Sequence, residues 1–103
     1  CKLHVDAVQG MCKVVPNFKL SDIDMLTFST HKIYGPKGVG ALYVKDGINF
    51  EKIQDGGYQE RNKRAGTENV AGIVGLGEAC KLSKNNIKEH INIQKYNLYV
   101  LLS

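Results

Sequence analysis

The apolar positions of the chain fall into three short runs followed by two longer periodic stretches. Leu3, Val5, Ala7 and Val8 enclose His4 and Asp6 and are followed by Gln9-Gly10, a pattern that predicts a buried strand ending in polar residues. Met25-Leu26-Thr27-Phe28-Ser29 predicts a second strand. Gly38-Val39-Gly40-Ala41-Leu42-Tyr43-Val44 predicts a third, with Lys45-Asp46-Gly47 as its turn. Between them lies Thr30-His31-Lys32-Ile33-Tyr34-Gly35-Pro36-Lys37, a polar loop between buried strands and so a suitable place for chemistry.

After Gly56-Gly57 comes a charged loop, Gln59-Glu60-Arg61-Asn62-Lys63-Arg64, and then Thr67-Glu68. A hydroxyl residue followed by an acid predicts the opening of a helix, here a small-residue helix to about Leu82 with Val70, Ile73, Val74 and Gly77 keeping one face compact. From Asn86, the residues Ile87, Ile91, Leu98, Leu101 and Leu102 recur at near-helical spacing, which predicts a second amphipathic helix. The chain opens on Cys1 with no basic-then-apolar leader and stops within that apolar stripe. It therefore reads as an internal fragment whose last helix has its packing partner elsewhere. No repeat, low-complexity tract or linker divides it, so residues 1–103 are expected to be one partial domain.

Composition narrows the class. With 43% hydrophobic and 23% charged residues, the chain is unlike a disordered tail, a collagen-like chain or a disulfide-dense miniprotein. Its apolar runs are far shorter than the roughly 20 residues a membrane helix needs. Cys1, Cys12 and Cys80 form no Cys-x-x-Cys pair and cannot all be paired, which favours a reducing, cytoplasmic setting. The net charge of +4 would suit a nucleic-acid partner. However, the basic residues are spread out except at Arg61, Lys63 and Arg64, and no aromatic interleaves with that cluster as a stacking platform requires.

Nucleotide and metal motifs are incomplete. Gly35-Pro-Lys-Gly38-Val-Gly40 lacks the Gly-Lys-Ser/Thr ending of a phosphate loop, and Gly75-Leu-Gly77 runs on to Cys80 where a dinucleotide fingerprint wants glycine or alanine. His4, His31 and His90 have no zinc-site spacing, so no metal is expected. What remains is a constellation: Asp6 and Gln9 at the end of one strand, and Ser29, His31 and Lys32 after the next. A Schiff-base cofactor needs a lysine amine, and pyridoxal phosphate also needs a carboxylate at its ring nitrogen and donors for its phosphate. Each type is present. From spacing alone, Asp6 could equally be a turn cap, Gln9 a turn residue, His31 a satisfied loop histidine and Lys32 a solvated lysine.

Three blocks of residues decide between those readings. His4-Val-Asp6-Ala-Val-Gln9, then Ser29-Thr-His31-Lys32-Ile-Tyr-Gly-Pro-Lys-Gly-Val-Gly-Ala-Leu-Tyr-Val44, then Gly56-Gly-Tyr-Gln-Glu-Arg61 with Arg64-Ala-Gly-Thr67-Glu-Asn69, resemble the cysteine desulfurases of the NifS/IscS type. The resemblance covers nearly all of the chain up to about Leu82. It implies an α/β fold, part of the large domain of a fold-type I pyridoxal-phosphate-dependent transferase, with a mostly parallel sheet. The strand around Val39–Val44 would be its antiparallel exception, because too few residues precede it for a helical crossover.

The resemblance also implies roles. Lys32 matches the lysine that carries pyridoxal phosphate and moves protons at the substrate's alpha carbon. Asp6 matches the ring-nitrogen carboxylate, and Gln9 the amide that bonds the ring's phenolic oxygen. Ser29 and His31 match phosphate donors, while Thr67 matches a threonine that reaches the phosphate in the neighbouring subunit of a homodimer. A threonine opening a helix would suit an anion on physical grounds as well. Arg61 and Arg64 fit a basic loop at a dimer interface, and His4 and Lys37 read as structural.

The implied reaction removes sulfur from L-cysteine, leaving L-alanine and an enzyme persulfide for an iron–sulfur scaffold or another sulfur-acceptor protein, with no nucleic-acid or membrane partner. The family's persulfide cysteine, substrate-carboxylate arginine and ring-stacking histidine match nothing in these 103 residues; Cys80 reads as a core thiol. The isolated segment is therefore expected to be inactive. A selenocysteine lyase or another class V aminotransferase stays open beside the desulfurase, as does a basic nucleic-acid-binding module.

Overall fold

The computed structural model describes residues 1–14 and 19–102, with the backbone alone at Ser21, His90 and 93–102. Its sheet has three strands in the order β1 (His4–Asp6), β2 (Met25–Ser29) and β3 (Gly40–Val44). β1 and β2 run parallel, with Asp6 opposite Thr27. β2 and β3 run antiparallel, with Ser29 opposite Gly40. The antiparallel exception lies where it was expected, because only a short loop joins its two strands.

Leu26 at the centre of the sheet and Ile23 just before it are each 3% exposed. β1 differs from the expectation of a buried strand: only Val5 is partly covered, His4 and Asp6 are exposed, and Leu3 is half-exposed. It is the outer strand of this sheet, so its apolar run has no second neighbour among the described residues to cover it. The ladder nevertheless extends beyond its ends. Asp24 accepts the Leu3 N–H through Oδ2 at 2.7 Å, and the Ala7 N–H reaches the Thr27 carbonyl at 2.8 Å.

The loop after β2 folds as a 3-10 turn, Thr30–Ile33. Thr30 is fully buried and Ile33 is 3% exposed. Thr30 donates from both its backbone N–H (3.0 Å) and its hydroxyl (2.8 Å) to the Val39 carbonyl, which ties the two ends of the loop together. Tyr34 closes the turn in a left-handed conformation, φ 65°, and points its ring to solvent at 85% exposure. The predicted turn after β3 is present: the Ile48 N–H bonds the Lys45 carbonyl at 3.1 Å, with Gly47 at φ +83°, a value that favours glycine.

The C-terminal part is one helix, α2 (Val70–Leu102), preceded by a single turn, α1 (Gln59–Asn62). The two helices expected from the sequence are thus continuous. Ser83, Lys84, Asn85 and Asn86 do not interrupt the backbone ladder, since such polar residues cost a helix only tenths of a kcal/mol each. The compact face also differs from the expected one. Val70 and Val74 are two-thirds exposed, Ile73 is 43% exposed, and a Cβ at Gly77 would meet nothing. The covered face is Gly72, Ala79 and Ser83. There a Cβ on Gly72 would strike Val39, one on Gly75 would lie 2.5 Å from Pro36, and one on Gly35 would lie 3.0 Å from the Ala79 Cβ. The helix approaches the loop after β2 so closely that small side chains, not apolar ones, define its inner face. The side chains of Leu98, Leu101 and Leu102, the end of the expected stripe, lie outside those described. Among the described residues no helix is long and apolar enough to cross a membrane.

Candidate functional site

Two parallel strands point their C-terminal ends toward one edge of a sheet, and in open α/β sheets ligands bind at that edge. Here the edge receives the turn that follows β1, carrying Gln9, and the 3-10 turn that follows β2, carrying His31 and Lys32. The register sets Asp6 beside Thr27, two residues before Ser29. Four of the predicted residues, Asp6, Ser29, His31 and Lys32, therefore come from adjacent strand ends, and Gln9 follows three residues after β1.

Each is held by identifiable contacts. Asp6 is exposed and its Oδ1 accepts the Val8 N–H at 3.0 Å, so the carboxylate caps the turn that leads to Gln9. Gln9 Oε1 lies 3.5 Å from Lys13 Nζ, one helical turn further along. Ser29 Oγ and His31 Nδ1 are 2.8 Å apart, which orients a hydroxyl and an imidazole as a pair. Lys32 is partly covered, standing between the exposed His31 and the buried Ile33. Thr30 and Ile33 anchor the turn in the core, and the alternation directs His31 and Lys32 away from it.

Beside β1, His4 Nε2 lies 3.3 Å from Thr27 Oγ1, a contact across the strand pair that agrees with its structural reading. Cys80 on α2 is only partly exposed, and burial, with the nearby Cys12 sulfur second, pushes its thiol pKa above the ordinary 9.0. A thiol held protonated is a poor nucleophile, although Cys80 stands at the margin of the buried residues and not among them.

Thr67 lies apart from this edge in sequence and is exposed. It does not open the helix. α2 starts at Val70, and Asn69 Oδ1 accepts the Gly72 N–H at 3.1 Å, the bond of an N-cap side chain to the third helical residue. Asn69 is thus the cap, and one of the N–H groups an anion would use there is already taken. Thr67 stands two residues upstream.

The loop before it contains residues whose part was not legible in sequence. Glu60, Arg61 and Asn62 all have positive φ, between 50° and 61°, a left-handed run that costs non-glycine residues roughly 1–2 kcal/mol each. Lys52 holds this turn, donating to the Gly57 carbonyl at 3.2 Å and to Asn62 Oδ1 at 3.1 Å. Lys63 covers the Phe50 ring at 4.9 Å. Arg61 and Arg64 are exposed on the loop.

The donor set at the sheet edge fits pyridoxal phosphate in kind. It offers an amine on a buried turn, a carboxylate at the neighbouring strand end and a paired hydroxyl and imidazole. Among the described residues no cluster of three or more His, Cys, Asp or Glu is placed to hold a metal.

Known proteins resemble the chain along most of its length. The family model for class-V aminotransferases matches residues 1–102. A cysteine desulfurase of Nostoc is 58% identical over 88 residues, covering 85% of this chain and 22% of that protein. The cysteine desulfurase IscS of Clostridium botulinum is 55% identical over 86 residues, 84% of this chain and 22% of that one. Among solved structures, a NifS-like protein from Rickettsia africae superposes with a TM-score of 0.86 at 40% identity, over 98% of this chain and 29% of that one. The chain spans about a fifth of the length of the curated relatives it matches.

Proposed function

The chain belongs to the class-V aminotransferase family, and from that premise we propose that the whole protein is a pyridoxal-phosphate-dependent cysteine desulfurase. It takes sulfur from L-cysteine, leaving L-alanine and an enzyme persulfide that passes to an iron–sulfur scaffold or another acceptor protein. It acts in the cytoplasm as a homodimer, with neither nucleic acid nor membrane as partner. The observation that carries this reading is the gathering of Asp6, the Ser29–His31 pair and Lys32 at the carboxyl edge of a parallel strand pair. The sequence identity to named desulfurases supports the choice of substrate over the related lyases and aminotransferases.

In this proposal pyridoxal phosphate, when bound, supplies the electron sink for bond breaking at the substrate's alpha carbon. Lys32 holds the cofactor through its amine and then moves the proton at that carbon. Asp6 sets its carboxylate against the ring nitrogen and keeps it protonated, while its Oδ1 bond to the Val8 N–H fixes the strand-end turn. Gln9 on that turn reaches the phenolic oxygen. Ser29 and His31, already oriented by their mutual contact, bind the phosphate. Thr67 reaches the phosphate of the neighbouring subunit. The persulfide cysteine belongs to the rest of the protein, so the 103 residues alone release no sulfide.

The test is turnover by the full-length protein. Loaded with pyridoxal phosphate and given L-cysteine, it should form alanine and transferable sulfur in equal amounts. A loaded enzyme that makes no alanine, or that prefers selenocysteine and spares cysteine, would reject the proposal. Mixing Thr67→Ala subunits with Lys32→Ala subunits tests the dimer. If Thr67 acts across the interface, each heterodimer has one site with both defects and one with neither, so about one intact site should survive. If it acts within its own subunit, no wild-type site remains.

A further inference from the structure

The loop from Gly56 to Gly66 is closed by side chains. At its neck Gly56 lies so near Ala65 that a Cβ would come within 3.0 Å of the Ala65 Cβ. Gln54 Nε2 donates to the Ala65 carbonyl at 3.0 Å, and the Gly66 N–H donates to Gln59 Oε1 at 3.1 Å. The Gln59 side chain folds over Gly57, where any Cβ would collide with its amide group. Gly66, at φ +110°, adopts a backbone that side chains rarely allow. Thr67 is the next residue. No hydrogen bond holds Thr67 itself among the described residues, so its placement depends on the backbone at each side. On one side the Asn69 cap fixes the start of α2. On the other, Gln59 fixes Gly66.

We propose that Gln59 is a positioning residue for Thr67: its amide oxygen, by holding the Gly66 N–H, sets the backbone from which the Thr67 hydroxyl meets a phosphate group. The inference rests on the reading of Thr67 as a phosphate contact made under Proposed function. Lys52 has a different task, since its two bonds go to Gly57 and Asn62 and hold the left-handed turn at the far end of the loop.

The experiment uses the full-length protein and two readouts. The first is hydrogen exchange at the Gly66 amide in cofactor-free protein. It should quicken about tenfold in Gln59→Leu, the scale of one lost hydrogen bond, and stay near wild type in Gln59→Glu, whose carboxylate still accepts. The second is the equilibrium dissociation constant for pyridoxal phosphate. Thr67→Ala and Gln59→Leu should each weaken it by about five- to tenfold, and the double variant should be no weaker than Thr67→Ala alone, because Gln59 acts through Thr67. Additive losses, or a Gly66 amide indifferent to Gln59→Leu, would overturn the positioning role alone. Unchanged binding in Thr67→Ala would overturn the phosphate reading and this inference with it.

Discussion

The turn after β2 and the loop from Gly56 to Gly66 both present functional candidates, but they are held by different means. The first is anchored by burial: Thr30 and Ile33 sink into the core, and α2 lies against the chain that follows through Gly72, Gly75 and Ala79. Only the side chains between the anchors, His31 and Lys32, are left to face outward. The second buries a single side chain, Ala65, and is held by the amides of Gln54 and Gln59 and the ammonium of Lys52. A residue set by core packing should tolerate changes to its polar neighbours. One set by a polar latch should be sensitive to a single atom.

The largest effect expected on either region is chemical. On the proposed function, Lys32→Ala in the full-length protein should lower alanine formation from L-cysteine by about a thousandfold or more, the scale of a lost covalent and proton-transfer group. Circular dichroism should be unchanged, because the lysine is not what anchors its turn. A loss of fold would show that Lys32 supports the turn it stands on.

Next come changes to the packed region. Gly35→Ala forces a Cβ against Thr30 and Ala79 and should cost about 1–3 kcal/mol in a denaturant titration. Substitutions on the exposed face, such as Val74→Thr, should cost less than about 0.5 kcal/mol by the same measurement. Equal costs would mean that the outer face of α2 is packed as tightly as the inner one.

The latched loop should respond locally. Lys52→Met should leave global stability within about 1 kcal/mol of wild type, yet speed exchange at the Asn62 and Lys63 amides, which bond the Tyr58 and Glu60 carbonyls. If those amides stay protected, the left-handed run does not need Lys52. Glu60→Gly should raise stability slightly, by under about 1 kcal/mol, as the strain of positive φ is relieved against a larger chain entropy.

The smallest effect concerns Cys80. With its folded pKa raised by burial, the protonated thiol is favoured in the native state. The stabilisation is complete below the ordinary thiol value and fades as pH rises through the folded one. Stability should therefore fall at alkaline pH more steeply in the wild type than in Cys80→Ala, as pH-dependent thermal melts would register; parallel curves would remove the linkage.

The same contrast explains what could be read in the sequence. β2 and the loop around Lys32 are legible because burial writes itself as an apolar run with a polar interruption, and Ser29 and His31 stand at its end, while Asp6 ends the neighbouring strand β1. The short loop made the antiparallel strand legible too. Hydrophobicity points to the wrong face of α2 because a close approach selects for smallness: Gly72, Gly75 and Ala79 stand at helical spacing on the inner face, while the larger apolar Val70, Ile73 and Val74 lie outside it. The sequence points to Thr67 as the helix opening because two capping residues compete within three positions, and the bond from the Gly72 N–H to Asn69 decides for Asn69. The latches at Lys52, Gln54 and Gln59 left no mark, since a side chain that satisfies a distant backbone group has no periodicity.

The central claim, that the packed turn after β2 carries the chemistry through Lys32, is tested most directly by borohydride reduction of the full-length holoenzyme followed by peptide mapping. The pyridoxyl group is expected on Lys32 and on no other lysine of this chain. Finding it on the neighbouring Lys37, or on a lysine elsewhere in the protein with Lys32 unmodified, would contradict it.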